Sequence, residues 1–285
     1  MQELFLTSFV RDGADFERAS AVLHGLANMS GWESLHRVVY FAGPLPPKGF
    51  NRSIPASAKT QQQQMALWSG LHQVLQKISH VLQLRYEVFR DRDFCPDGQM
   101  PTMPIEGPDA ELNKMGGTLR WTDFPKPTEN QPVISRKKIE IVDQKNLITI
   151  VKDNNHRFKS EAIEESVSYF IDSVEISLVR YYHLPPAGAG ESPAQPLGGP
   201  VLPAWSSLRL LDPSGTWMLF VRTTVFEDNA PDKLKKAQDD LYAMRDKLAG
   251  VFDFKMVDRR AHDTRILLPT NNLPAPMPAT QRLRG

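Results

Sequence analysis

Cysteine is almost absent: Cys95 stands alone among 285 residues. That excludes a disulfide within the chain and a zinc site built on paired thiolates, and it fits a reducing compartment, cytosol or nucleus. Long apolar runs are missing too, since no stretch approaches the ~20 residues that a membrane-spanning helix needs. Met1-Gln2-Glu3 is not followed by the basic segment and apolar core of a secretory signal, so a soluble intracellular protein is expected. Charge of one sign is also lacking. With 34 Lys and Arg against 33 Asp and Glu, the formal net charge is +1, which gives no overall field for gathering nucleic acid or anionic lipid. The small basic runs, Arg136 to Lys138 and Arg259-Arg260, read as solvated strand ends, and no sequence-specific nucleic-acid binding is expected.

Catalytic signatures are missing as well. There is no G-x-S-x-G elbow, no Walker-type glycine loop and no H-E-x-x-H. Gly116-Gly117 lacks the spacing and the lysine of a phosphate cradle and reads as a bulge or strand start. The seven histidines never pair at metal-ligand spacing, and Cys95 beside Pro96-Asp97-Gly98 reads as a free loop thiol. Carboxylates deserve the closest look, because a polar-lined barrel can be an enzyme. A tunnel that hydrolyses triphosphates needs several inward Glu residues on alternate strand positions to hold a divalent metal, with Lys and Arg for the phosphates. Glu161 and Glu165 share parity on one strand and Glu140 lies in Lys138-Ile139-Glu140-Ile141, but Glu3-Leu4-Phe5-Leu6 carries a single Glu. A Glu-x-Glu-x-Lys set is not there. No catalytic, cofactor or metal residue is assigned, no enzyme is expected, and a metal-dependent barrel phosphohydrolase remains the alternative.

What is abundant is proline, 23 residues in clusters, and alternating strand pattern. Val167, Tyr169 and Ile171 alternate with smaller or polar neighbours, and Val174, Ile176 and Leu178 do so beyond Asp172-Ser173. A period of two is what a strand buried on one face requires, and Asp-Ser between two such runs predicts a long antiparallel hairpin from about His156 to Leu184. Such a hairpin needs further strands or helices on its apolar face. Strands are predicted at about 3–10, 34–42, 78–88, 117–124 and 134–142; 208–211 should meet 217–226 across Pro213-Ser214-Gly215; and 252–266 should form a last strand. Helices are predicted after Asp12, as a cap, through Leu26, from a Thr60/Gln63 capping box through Leu75, and from Pro231 to a stop at Gly250. Residues 146–152 fit either template. The pattern of hairpins without a βαβ series gives a mainly β protein with flanking helices, a single many-stranded antiparallel barrel over 1–268. Proline-rich insertions fall at about 43–58, 91–113 and 185–206, and 269–285 is expected to be a disordered tail.

The order of these elements resembles subunit 18 of the Mediator complex in its fungal form. The resemblance rests on Glu3-Leu4-Phe5-Leu6 and the helix ending Leu23-His24-Gly25-Leu26, on Leu82-Gln83-Leu84-Arg85-Tyr86 after the Trp68 helix, and on Ser168-Tyr169-Phe170-Ile171 leading into Val174 to Leu184. The Trp217 strand with its following helix completes it, so that about 3–42, 60–90 and 116–266 are covered. That family implies a barrel similar in fold to tunnel triphosphatases but without their active site. It also implies a nuclear, non-catalytic scaffold of the Mediator head module that pairs with subunit 20, receives a helix of subunit 8 and helps couple Mediator to RNA polymerase II. No partner-binding residue is fixed by the resemblance; exposed apolar positions on the Trp217 strand or the outer face of the 234–248 helix are the expectation.

Overall fold

The protein is described by a computed structural model over residues 1–50, 62–98, 109–126, 132–184, 201–227, 230–254 and 258–267. Its strands, in chain order, are β1 (Gln2–Val10), β2 (Trp32–Ala42), β3 (Val81–Val88), β4 (Gly117–Thr122), β5 (Ile134–Gln144), β6 (Arg157–Ile171), β7 (Val174–His183), β8 (Arg209–Leu210) and β9 (Trp217–Val225). Eight of them close a ring in the order β6-β2-β3-β4-β5-β1-β9-β7, with β7 returning to β6, and every pairing is antiparallel. The expected barrel is there. Its longest hairpin turns at Asp172-Ser173: Ile171 faces Val174, and Asp172 sits in the left-handed region at φ 52°, which a short Asp side chain tolerates.

The helices are α1 (Ala14–Ala27), α2 (Gln62–Leu75), α3 (Arg90–Asp93), α4 (Ala110–Lys114), α5 (Leu147–Asp153) and α6 (Pro231–Leu248). They cover the outside of the barrel, and the alternating apolar residues point at them. Leu4, Leu6, Ile176, Leu178, Leu219 and Val221 pack with Leu23 of α1 and Leu241, Met244 and Leu248 of α6. Val39, Phe41, Leu82, Leu84, Tyr86 and Ile141 pack with Trp68 and Leu71 of α2 and Ile148 of α5. Burying each large side chain of this kind contributes ~1.5–3 kcal/mol, which explains why α6 lies on the sheet although most of its surface is charged. Pro231 at its start and Asp232 in its first turn suit the N-terminus of a helix.

Several local expectations change. Asp12 does not cap α1; Gly13 holds that position, and the Asp12 carboxylate instead accepts from Trp217 Nε1 (3.2 Å) and Arg180 (3.1 Å). The ambiguous run at 146–152 is helical, as α5, because both faces of Leu147, Ile148 and Val151 find buried neighbours. Thr60 and the Gln63 side chain lie outside the described residues. Ile78 precedes β3 and is exposed, so the strand starts at Val81. The short strand β8 pairs with β7 rather than β9, because β9 has β1 on one edge and β7 on the other. The turn before β9 still forms, with Gly215 N donating to Asp212 O at 3.0 Å. No strand covers the described part of 252–266: a 3₁₀ turn occupies Arg259–His262, and Arg265 makes only an isolated bridge with His80. The ring closes through the β6–β7 pairing without this segment.

Within the proline-rich stretches, α3 and α4 bracket residues 91–113, whose positions 99–108 lie outside the described residues, as do 185–200. Leu202, at the end of the second stretch, is fully buried and bridges to Phe94, so the chain re-enters the core before Trp205. The Gly116-Gly117 expectation holds: β4 begins at Gly117, and its register against β5 slips between Gly117 and Leu119. A Cβ on Gly117 would stand 2.7 Å from the Tyr86 ring, so glycine is needed for this approach.

Candidate functional site

The strand faces opposite the helices meet inside the barrel, and they are charged. From β1 come Glu3, Phe5 and Thr7; from β3 Arg85; from β4 Arg120; from β5 Arg136, Lys138 and Glu140. Opposite them, β6 supplies Glu164, β7 supplies Glu175 and Tyr181, and β9 supplies Arg222. Burial of so many charges is tolerable only when each is paired and hydrogen-bonded.

The pairing is close to complete. Arg85 holds Glu164 with two parallel bonds, Nη1 to Oε2 at 2.9 Å and Nη2 to Oε1 at 2.5 Å, and Tyr181 donates to the same carboxylate at 2.8 Å. Arg136 Nε donates to Glu3 at 2.7 Å, and Lys138 bridges Glu3 (3.3 Å) and Glu140 (3.1 Å). Arg120 Nε donates to Glu140 at 2.5 Å, and Arg222 donates to Glu175 (2.7 Å) and to the Ser177 hydroxyl (2.8 Å).

The electrostatics follow from these contacts. Burial works against the ionised form of Glu3, but the charges of Arg136, Lys138, Arg222 and Arg120 outweigh it and hold the carboxyl far below its usual range. Glu164 behaves in the same way: burial raises it, and Arg85 overrides burial by charge and hydrogen bonds. Burial also opposes Glu140, which Arg120 and Lys138 nonetheless bring down to about 2. Burial pushes Tyr40 up to about 12, and burial followed by the Arg85 charge lowers His36 to about 4. At neutral pH the interior therefore holds ionised carboxylates, neutral phenols and neutral histidine. None of these is poised near neutrality as an acid or base.

The carboxylates picked out in the sequence land differently. Glu161 and Glu165 share a face, as expected, but it is the outer one, although Glu161, close to the irregularity in the β2–β6 register, also reaches the edge of the cavity. Glu161 lies opposite Val39 and is held by Arg37 at 3.0 Å, while Glu165 binds Arg90 (2.5 Å), Arg180 (2.7 Å) and Tyr182 (2.7 Å). The inward residue of this strand is Glu164, which the sequence reading passed over. Its signal was available: Glu165 has the parity of Val167 and Tyr169, so it belongs with the helix-covered face, and Ala162, Glu164, Ser166 and Ser168 form the other. Glu140 and Glu3 do face inward. Among the described residues no three His, Cys, Asp or Glu side chains are grouped to hold a metal ion.

The surfaces suggested for partners are covered or polar along most of their length, but Phe226, at the end of the expected 217–226 strand, is 76% exposed. Trp217, Leu219 and Val221 of β9 lie beneath α1 and α6, and the open face of α6 presents Lys235, Lys236 and Asp239. Large exposed apolar side chains also sit on the barrel rim. Trp32 at the start of β2 is 65% exposed and Phe170 near the end of β6 is 50% exposed, one diagonal step apart on the β2–β6 ladder.

Comparison with known proteins places this architecture. A curated Mediator of RNA polymerase II transcription subunit 18 from Aspergillus niger is 27% identical over 150 residues, covering 52% of this chain and 53% of that protein. The chain thus spans about half the length of the curated relative it matches. Among solved structures, a chain of the Schizosaccharomyces pombe Mediator head module aligns over 90% of this chain and 99% of its own length, at 15% identity and a TM-score of 0.56, and shares the fold. A protein from Pyrococcus horikoshii aligns over 90% of this chain and 95% of its own at 10% identity, with a TM-score of only 0.41. The family described as Med18 protein matches residues 2–265, the closed barrel with its covering helices, and the chain belongs to that family.

Proposed function

We propose that the protein is a non-catalytic structural subunit of the Mediator head module, a nuclear transcription coactivator that links regulators to RNA polymerase II through protein contacts. The observation that carries this reading is the family match across residues 2–265. The shared fold with a chain of the fission-yeast head module supports it. Residues 1–268 act as one barrel unit with its proline-rich insertions, and the expected neighbours are Mediator subunits 20 and 8. The exposed aromatics Trp32 and Phe170 are the most economical contact surface, since burying them on assembly removes large apolar side chains from water.

The interior supports a structural rather than a catalytic role. A metal-dependent phosphohydrolase needs carboxylate oxygens free to ligate a cation, whereas Glu3, Glu140, Glu164 and Glu175 already accept from guanidinium or ammonium groups. A tagged pull-down from nuclear extract, read by mass spectrometry at moderate salt, tests the assignment. Stoichiometric recovery of subunits 8 and 20 is the expected result. Elution of the chain alone, together with Mg²⁺- or Mn²⁺-dependent triphosphate hydrolysis by the purified protein, would reverse it.

A further inference from the structure

The barrel encloses a cavity of about 620 Å³, within the size range of small-ligand sites. An eight-stranded barrel holds one small ligand rather than a polypeptide, which limits what this space can take. Its lining carries five cations, Arg85, Arg120, Arg136, Lys159 and Arg222, against four carboxylates, Glu3, Glu161, Glu164 and Asp263. Four inward carboxylates, Glu3, Glu140, Glu164 and Glu175, are met by five cations: Arg85, Arg120, Arg136, Lys138 and Arg222. Of the lining carboxylates, Glu161 and Asp263 are held by Arg37 and Arg265.

Donor geometry says more than the count. Arg120 and Arg136 reach their carboxylates through Nε, and among the described residues no other hydrogen bond engages their terminal nitrogens. Arg222 uses one terminal nitrogen for Glu175 and Ser177 and, among the described residues, leaves Nε unpaired. The Thr7 hydroxyl, buried and on the same wall, has no partner among the described residues either. Arg136, Lys138, Arg222 and Arg120 all act on the Glu3 carboxylate, so these cations converge on one region. Confined guanidinium forks with unused N–H groups, and few acceptors left among them, suit a multiply charged anion with several oxygens.

We propose that the barrel interior binds a phosphoryl anion, either inorganic phosphate or the phosphate chain of a nucleotide, through Arg120, Arg136 and Arg222 with Thr7 as a neutral donor. The site binds without cleaving, because its carboxylates are engaged by cations. It is independent of the role in Mediator, and either reading can fail alone.

The test is calorimetric titration of the full chain with sodium tripolyphosphate, sodium phosphate and ATP at about 0.15 M ionic strength, where contacts between exposed charges are largely screened. Saturable tripolyphosphate binding is expected, weakened at least tenfold in the Arg120→Gln/Arg136→Gln double variant and unchanged in Lys235→Gln/Lys236→Gln on the open face of α6. Tighter binding of ATP than of tripolyphosphate identifies a nucleotide; equal or weaker binding identifies the phosphate chain alone. Because the double variant also deprives Glu140 and Glu3 of partners, tungstate soaked into crystals of the unaltered protein locates the anion separately. Density among Arg120, Arg136 and Arg222 supports the proposal. Tungstate only on the outer surface, or no saturable binding by the unaltered chain, overturns it.

Discussion

Replacing Arg85 with methionine should destabilise the protein by about 3–5 kcal/mol at pH 7, the range for removing one partner of a buried ion pair. The side chains of Arg85 and Glu164 are only 8% and 9% exposed, so water cannot take over the lost contacts. Methionine fills much of the volume, so the cost falls mainly on Glu164, left charged and buried with Tyr181 as its remaining hydrogen-bond donor and only the Arg120 charge in partial compensation. The pH dependence distinguishes this account from a simple packing defect. In the unaltered protein Glu164 titrates far below its unfolded value, so its contribution is complete above pH ~4.5 and is lost as pH falls through the folded pKa. In Arg85→Met, desolvation dominates and the folded pKa rises above the unfolded one. Its destabilisation is then full at neutral pH and relieved in acid, so the gap between the two proteins narrows below about pH 5. The double variant Arg85→Met/Glu164→Leu should recover most of the loss, because replacing both members of a buried pair by apolar groups is often neutral. Urea denaturation followed by tryptophan fluorescence, as a double-mutant cycle at pH 7 and pH 4.5, measures all of this. A cost below about 1 kcal/mol, or a gap that does not change with pH, would refute the idea that the pair is desolvated.

Other outcomes follow from the packing and the rim. Leu241→Ala, in the fully buried stripe of α6, should cost about 2–5 kcal/mol in urea denaturation. Gly117→Ala should cost about 1–3 kcal/mol, since its Cβ would fall 2.7 Å and 2.9 Å from Tyr86 ring atoms and 3.1 Å from Leu147 Cδ1; an unchanged urea midpoint would contradict that contact. Burial lowers His36, His80 and His262 to about 4, so the unfolded chain takes up protons first and stability should fall between pH 6.5 and 4, by at most about 3 kcal/mol per histidine. His80→Gln should flatten that slope, with the urea midpoint measured across the window as the check. Trp32→Ala/Phe170→Ala should leave stability within about 0.5 kcal/mol but reduce recovery of Mediator partners in the pull-down; unchanged recovery would remove the rim from the interface.

The strands were legible because one face of each is buried under helices, and that face alone writes a period of two in apolar residues. Leu82, Leu84 and Tyr86 show it most clearly. The inward face was harder to read. A barrel lined with salt bridges has polar residues inside, so charge in the sequence does not distinguish cavity from solvent, and Glu165 could be mistaken for an inward residue. Parity with Val167 and Tyr169 resolves that ambiguity. Closure into a barrel was legible from hairpins without a βαβ series, but not which strands complete it: nothing in Phe252-Asp253-Phe254 reveals that the ring closes without them, and no strand forms over the described part of 252–266. Partners of single side chains, such as Asp12 with Trp217, depend on contacts about 200 positions apart along the chain and leave no local trace.

The position of β1 in the ring bears on how the chain comes off the ribosome. Its neighbours are β5, beginning at Ile134, and β9, ending at Val225, so the first strand of the barrel to be made is among the last to find both partners. Until then Leu6 has no ladder, and neither Leu4 nor Leu6 has the α6 cover that later hides them. Pairings this distant make closure slow and leave an adhesive strand exposed during synthesis, which makes β1 the natural point of engagement for chaperones.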